Sequence, residues 1–254
     1  MIKNVALIMD GNGRWAKGRS RPRFWGHIRG SKVVSEIVEA ADDLGLESLT
    51  LYAFSTENWS RPQKEILLLF KLLKKYVLKE WDRVLKNDIC FKVIGELSGL
   101  PKETYDLVKK LEEKSKNAKG LKLNFAFGYG GRTEICRAVN QFIKENPGKE
   151  IDSESLANSL YNPAVPEIDL LIRTGGDQRI SNFLLWQMAY AELYFLDTQW
   201  PDFSREIFES ILSKVSNRER RFGAIDSQTS LTDTCEKAKA QKDEILKATG
   251  PSVS

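Results

Sequence analysis

Val5-Ala6-Leu7-Ile8-Met9-Asp10-Gly11-Asn12-Gly13-Arg14-Trp15 carries the clearest architectural signal in the chain. An apolar run, Val5 to Met9, leads straight into a carboxylate and two glycines. Such a run reads as a buried strand, and the glycines after it read as a turn with bare backbone N–H groups. In an α/β sheet, ligands bind at the carboxyl ends of the strands. Bare N–H groups and the Arg14 guanidinium suit a phosphate, and the carboxylate of Asp10 suits a divalent cation that bridges to it. The same letters also suit a plain tight turn with Asp10 as a helix cap. Gly11, Gly13 and Ala16 fit the loose dinucleotide pattern, but no acid closes the next strand as that pattern requires, and no Walker lysine follows.

Working outward, strand-like and helix-like patterns alternate along the whole chain, which predicts an α/β fold with a mostly parallel sheet. Strands are expected at 4–9, 48–53, 89–94, 121–127, 169–172 and 192–196. Residues 17–26 read as a basic loop carrying Arg19, Arg21 and Arg23, kept irregular by Pro22. Ser31 then caps a helix to about residue 44. A long helix follows Pro62 to about residue 87, and others are expected at 101–117, 132–145, 153–160 and 204–222. With no internal repeat or linker, residues 1–223 read as one domain and 224–254 as a polar tail.

Composition narrows the function. The 254 residues are 41% apolar and 29% charged, which is ordinary for a soluble globular protein. Lysine and arginine total 39 against 35 acids, and a net charge of +4 is too small for a nucleic-acid protein driven by a basic face. Apolar runs of about five residues fall far short of the ~20 that a membrane span needs. With the first strand starting almost at Met1, no signal peptide is expected. Cys90, Cys136 and Cys235 have neither metal-site nor disulfide spacing, so a reducing, cytoplasmic setting is expected.

Three strand ends share one character: 10–14, 55–61 and 173–181 each offer glycine or hydroxyl groups together with arginine. In a parallel sheet these ends lie along one edge. The expected pocket holds Arg14, Arg61, Arg173 and Arg179, to which the basic loop adds Arg23 and His27, the only histidine. So many like charges in one cleft are destabilising unless an anion is bound, and two diphosphate groups match them. Asp10 and Glu192 are the acids expected to hold Mg²⁺ between them.

The blocks Val5–Ala16, Gly26-His27, Leu51–Pro62, Tyr129-Gly-Gly-Arg132, Ile172–Gln187, Ala189–Phe195, Trp200–Phe203 and Asn217–Gly223 resemble, in order, the signature blocks of the cis-prenyltransferases. The resemblance implies a single domain whose six-stranded, mostly parallel sheet is surrounded by helices and carries a hydrophobic tunnel, assembled as a homodimer. It implies a Mg²⁺-dependent transferase that condenses isopentenyl diphosphate repeatedly onto an allylic prenyl diphosphate, farnesyl or geranylgeranyl. Each step makes a Z double bond. The product is a long-chain polyprenyl diphosphate such as undecaprenyl diphosphate, the lipid carrier precursor for glycan and cell-wall assembly. A lipid product also implies peripheral contact with the membrane.

Residue by residue, the resemblance implies that Asp10 handles the metal and the departing diphosphate. Gly11, Asn12, Gly13, Arg14, Arg23 and His27 would hold the allylic diphosphate, with Trp15 beside them. Arg173, Arg179, Ile180 and Ser181 would take isopentenyl diphosphate, with Glu192 as second metal ligand. Ser55, Thr56, Glu57, Asn58, Trp59 and Arg61 would line the junction. Asn58 is the implied proton acceptor, although an amide is a poor base and a relay to a phosphate oxygen serves as well. Arg221 and Gly223 match an element that reaches the partner subunit's site. The apolar arc of the long helix that follows Pro62 is expected to wall the channel, with the helix after Pro101 near its far end. Plain core packing would account for the same arc.

Overall fold

The strand expected from the opening stretch is the centre of the sheet. The structure is a computed structural model and describes residues 2–216. β1 (Asn4–Ile8) pairs on one side with β2 (Ser48–Ser55) and on the other with β5 (Leu170–Arg173). The full order is β3-β4-β2-β1-β5-β6, with β3 (Cys90–Ile94), β4 (Lys122–Tyr129) and β6 (Glu192–Phe195) completing it. Every pairing is parallel. Strands buried on both faces need apolar residues at successive positions, which is why Val5 to Ile8 shows no polar alternation. Val5 and Leu7 join the larger core, and Ala6 and Ile8 join a smaller one with Ala126, Tyr129 and Phe183.

The helices are α1 (Asn12–Lys17), α2 (Phe24–Asp43), α3 (Gln63–Lys86), α4 (Lys102–Ser115), α5 (Gly131–Glu145), α6 (Ser153–Asn158) and α7 (Arg205–Ser216). The chain winds from β1 outward through β2, then crosses to the far side of β1 for β5. The direction of winding therefore reverses beside β1, and the crevice outside the carboxyl ends of β1 and β5 is the expected ligand position in such a sheet.

The stretch 17–26 differs from its expected form. α1 starts at once after Gly11, and α2 begins at Phe24 rather than at Ser31. The Ser31 hydroxyl donates to the Ile28 carbonyl inside the helix, so it is not a cap. Gly26 and Gly30 mimic helix breaks in the sequence but serve as contact points. A Cβ on Gly26 would lie 1.8 Å from the Asn12 carbonyl oxygen, and one on Gly30 would lie 2.3 Å from Asn12 Oδ1. These glycines let α2 press against α1 beneath the phosphate-type turn. Gly26→Ala is expected to cost about 3 kcal/mol or more, because backbone rather than a movable side chain meets the new methyl. A fall in the urea midpoint, with an unchanged slope, checks it.

The final helix is described only to Ser216. The basic cluster 218–221, Gly223, Cys235, the expected helix at 233–247 and the boundary at 223/224 lie outside the described residues. No helix among the described residues is long and apolar enough to cross a membrane.

Candidate active site

Gly11 sets the geometry of the first turn. Its φ of 100° is a left-handed conformation that favours glycine, and a Cβ there would stand 2.9 Å from the Gln199 side chain. The turn brings the Gly11 N–H to Asp10 Oδ1 at 2.6 Å. Asp10 Oδ2 accepts from Arg173 Nη2 at 2.9 Å and lies 2.9 Å from Arg14 Nη2. Burial pushes the Asp10 carboxyl upward, and it is the largest single influence. Arg173, the Gly11 N–H and Arg14 together outweigh it, so the group is held below the usual aspartate range.

Sheet register explains why Arg173 arrives there. Its Cα partner in β1 is Ile8, two residues before Asp10. Arg173 is buried, and its guanidinium also donates to the Ser181 hydroxyl at 2.8 Å and to the Arg179 carbonyl. Thus β5 supplies the arginine and also pins the loop that follows it. Asp177, in that loop, places one oxygen 2.9 Å from Arg179, 3.3 Å from Arg14 and 3.3 Å from Arg173. A second cationic group gathers over α3. Glu65 lies 3.0 Å from Arg61, 3.4 Å from His27 and 3.6 Å from Arg23. The charges of the cleft are therefore partly balanced by two internal acids, Asp177 and Glu65. The sequence reading did not single these out, although each stands four residues after one of the arginines it pairs with.

His27 first, then Arg61 and Arg23, hold the Glu65 carboxyl at about 2 against the cost of burial. A carboxyl with a depressed native pKa stabilises the fold above its unfolded pKa, and that stability is lost as pH falls through the native value. Glu65→Gln should therefore be less stable than the parent by a constant margin above about pH 5, a margin that closes toward pH 2. Urea midpoints of both proteins across this range check it.

Asp10, Asn12, Gly13, Arg23, His27, Ser55, Asn58, Arg61, Arg173 and Ser181 line one cavity of about 280 Å³. Its remaining wall is largely hydrocarbon: Val34 from α2, Leu69, Leu72, Leu73 and Tyr76 from α3, Phe125 and Phe127 from β4. The second helical wall is α2, and no residue of α4 is among the lining. Six buried side-chain polar atoms among the described residues lack a partner. Three of them, Asn12 Oδ1, Tyr76 Oη and Arg173 Nε, belong to residues that line this cavity, and a fourth, His27 Nε2, has only the Glu65 carboxylate at 3.4 Å. Buried polar groups are normally paired, so this concentration marks a place where a ligand supplies the partners.

Other expected residues stand near the cavity without lining it. Arg14 and Arg179 flank it through Asp10 and Asp177. Trp15 faces elsewhere, its Nε1 donating to Asp202 at 2.7 Å. Glu57 accepts from Asn182 at 3.0 Å and from the Thr56 hydroxyl at 3.1 Å, joining the turn after β2 to the loop after β5. Trp59 packs edge-on against Phe54, and Ile180 against the smaller core. Asn58 Oδ1 accepts from the Ser55 N–H at 3.2 Å as part of a reciprocal cap. Tyr52, which no motif marks, lines the cavity; its hydroxyl proton is shared between the Tyr129 and Ser181 carbonyl oxygens at 3.1 and 3.3 Å.

Glu192 is placed differently from expectation. It opens β6 in register with Leu170, whereas Phe195 is level with Arg173 at the edge that carries Asp10. Three residues of strand, about 10 Å, lie between Glu192 and that edge. In a parallel sheet only the last residues of a strand reach it, so within one chain Asp10 and Glu192 do not share a cation. Asp10 is the only acid among the lining residues, and no group of three His, Cys, Asp or Glu able to hold a metal occurs among the described residues. A lone carboxylate beside a phosphate site suits Mg²⁺, which keeps several waters and takes one or two carboxylates plus phosphate oxygens.

A cavity with cations at one mouth and hydrocarbon beyond suits an amphiphile with a diphosphate head, the kind of substrate a prenyltransferase handles. Comparison with known proteins agrees. A family model described as "Putative undecaprenyl diphosphate synthase" matches residues 8–223. An isoprenyl transferase of Fusobacterium nucleatum is 48% identical over 224 residues, covering 88% of this chain and 96% of that protein. A ditrans,polycis-undecaprenyl-diphosphate synthase, (2E,6E)-farnesyl-diphosphate specific, of Shewanella oneidensis is 45% identical, covering 89% of this chain and 84% of that protein. The crystal structure of a "probable undecaprenyl diphosphate synthase" from Campylobacter jejuni superposes with a TM-score of 0.74 at 36% identity, over 87% of this chain and 98% of the other. The chain belongs to the undecaprenyl diphosphate synthase family and is a prenyltransferase.

Proposed function

We propose that this protein adds isopentenyl diphosphate units to an allylic diphosphate, farnesyl or geranylgeranyl, and builds a long polyprenyl diphosphate of the undecaprenyl kind. The observation that carries the reading is the joint placement of Asp10, Arg173 and the bare turn at the mouth of an apolar cavity lined with unpartnered polar atoms. In this reading Asn12, Gly13, Arg23 and His27 receive the allylic diphosphate, and Arg173, Arg179 and Ser181 receive isopentenyl diphosphate. Asp10 would hold Mg²⁺, which would supply positive charge to the leaving diphosphate.

The chain's own groups do the rest. Arg14, Arg23 and the N–H groups of the first turn are placed in advance for the charge that develops as the allylic C–O bond opens. Two separate arginine clusters hold two diphosphates at a fixed spacing, so that the reaction gains mainly from positioning. With the Asn58 oxygen already accepting from Ser55, its Nδ2 donors are left for a ligand, and a phosphate oxygen is the better proton acceptor. Val34, Leu69, Leu73 and Phe125 keep the growing chain away from water. The protein works as a homodimer and meets the membrane peripherally, where its lipid leaves.

The test is incubation of purified protein with labelled isopentenyl diphosphate, Mg²⁺ and, in turn, geranyl, farnesyl and geranylgeranyl diphosphate. Products longer than the starter by many five-carbon units support the reading. Product from none of them, or only single additions, overturns it.

A further inference from the structure

The helix that walls the cavity has a second face. At 100° per residue, Leu69, Leu72, Leu73 and Tyr76 of α3 point inward, while Leu67, Leu78 and Leu85 fall within about 20° of one line on the opposite side. These three leucines are 44%, 57% and 38% exposed. Leu67 to Leu85 spans about 27 Å of helix. A single exposed leucine needs no explanation, but three along one line of a helix do.

Lys64, Lys71 and Lys75 lie within about 80° of that line, all on one flank, with Asp82 as the one acid among them. None of the three lysines has an ion-pair or hydrogen-bond partner among the described residues. By contrast, Lys74 on the other flank is paired with Glu103, and Lys79 with Glu80. Lys74, about 30° from the line on that other flank, is thus neutralised by an acid of α4, whereas the three lysines on the first flank are left free. An exposed apolar line flanked by free cations is the pattern of a helix that lies on an anionic bilayer, with leucines entering the headgroup boundary and ammonium groups meeting lipid phosphates. A second copy of the chain fits less well. A twofold interface through this stripe would set it against itself and bring its lysines together.

We infer that the outward stripe of α3, Leu67, Leu78 and Leu85 with Lys64, Lys71 and Lys75, docks this protein on the surface of a bilayer containing anionic lipid. This inference deepens the proposed membrane contact by assigning it a surface, and it rests on that reading for its purpose. The docking places the hydrocarbon cavity one helix diameter from the bilayer that would receive the product.

Full-length protein is sedimented with phosphatidylcholine vesicles, with or without phosphatidylglycerol, without substrates. The parent should bind only the anionic vesicles. Each near-surface lysine contributes roughly five-fold in partition, so the triple variant Lys64→Gln, Lys71→Gln, Lys75→Gln should bind about 100-fold more weakly. Leu67→Gln, Leu78→Gln, Leu85→Gln should lose binding as well. Both variants should keep the parent's helical circular dichroism and its isoprenyl transfer in detergent. Vesicle binding equal in all three proteins overturns the inference, as does absence of binding by the parent. A leucine variant that changes oligomer size and leaves vesicle binding unchanged also overturns it, by showing that another copy covers the stripe. Loss of transfer by the parent in detergent would count against the proposed function alone.

Discussion

Asp10→Asn should lower kcat/KM for chain elongation by about 10³-fold while the protein stays folded. Asp10 is the only acid on the cavity wall, so no neighbour on that wall can take over its charge. The fold should survive because Asp177 remains 3.3 Å from both Arg14 and Arg173 and keeps those guanidiniums paired. Binding of inorganic pyrophosphate without metal should persist or tighten, since the substitution removes a negative charge from among the arginines. Steady-state kinetics with Mg²⁺, set beside calorimetric titration of pyrophosphate without it, separates the two effects. Full turnover in this variant would refute the role given to Asp10.

Arg173→Ala should be damaging in a different way. This residue is only 4% exposed, and its guanidinium ties Asp10, Asp177, Ser181 and the Arg179 carbonyl together. Its loss leaves the half-buried Asp10 with one guanidinium instead of two and frees the loop after β5. We expect a stability loss of about 2–3 kcal/mol, the cost of leaving charged partners unsatisfied. The KM for isopentenyl diphosphate should rise by about 10²-fold, with a smaller change for the allylic substrate. Arg173→Lys should recover part of the stability but little of the KM, because a single ammonium cannot reproduce the guanidinium's fork of donors. Denaturant midpoints and initial rates at varied isopentenyl diphosphate check both variants. A Lys variant with a parental KM would show that charge alone matters there.

The two variants also show how far the residues could be read without coordinates. Asp10, Gly11 and Arg14 follow β1 directly in the chain, so reading the strand placed them at its end. The same holds for Ser55 after β2 and for the loop after β5. Glu192 was expected beside Asp10, but Ala-Glu-Leu-Tyr reads as strand without saying which end of it reaches the site, and within one chain Glu192 opens β6 at the opposite end. Asp177 and Glu65 each look like an ordinary charge next to an arginine until three basic side chains are seen to converge on it.

The amino-acid order alone was enough to say that apolar strands alternate with helices and that phosphate-suited residues stand just after several strands. Those properties are local: a strand's burial is written in its own run of side chains, and a turn's backbone in its own glycines. It took the folded chain to show that Arg173 is level with Ile8, that α2 starts seven residues before Ser31, and that α2 joins α3 in walling the cavity. Each of these depends on what approaches a residue from far along the chain. Gly26 shows this most directly, since the same glycine reads as a break in isolation and is a contact point once the Asn12 carbonyl lies against it.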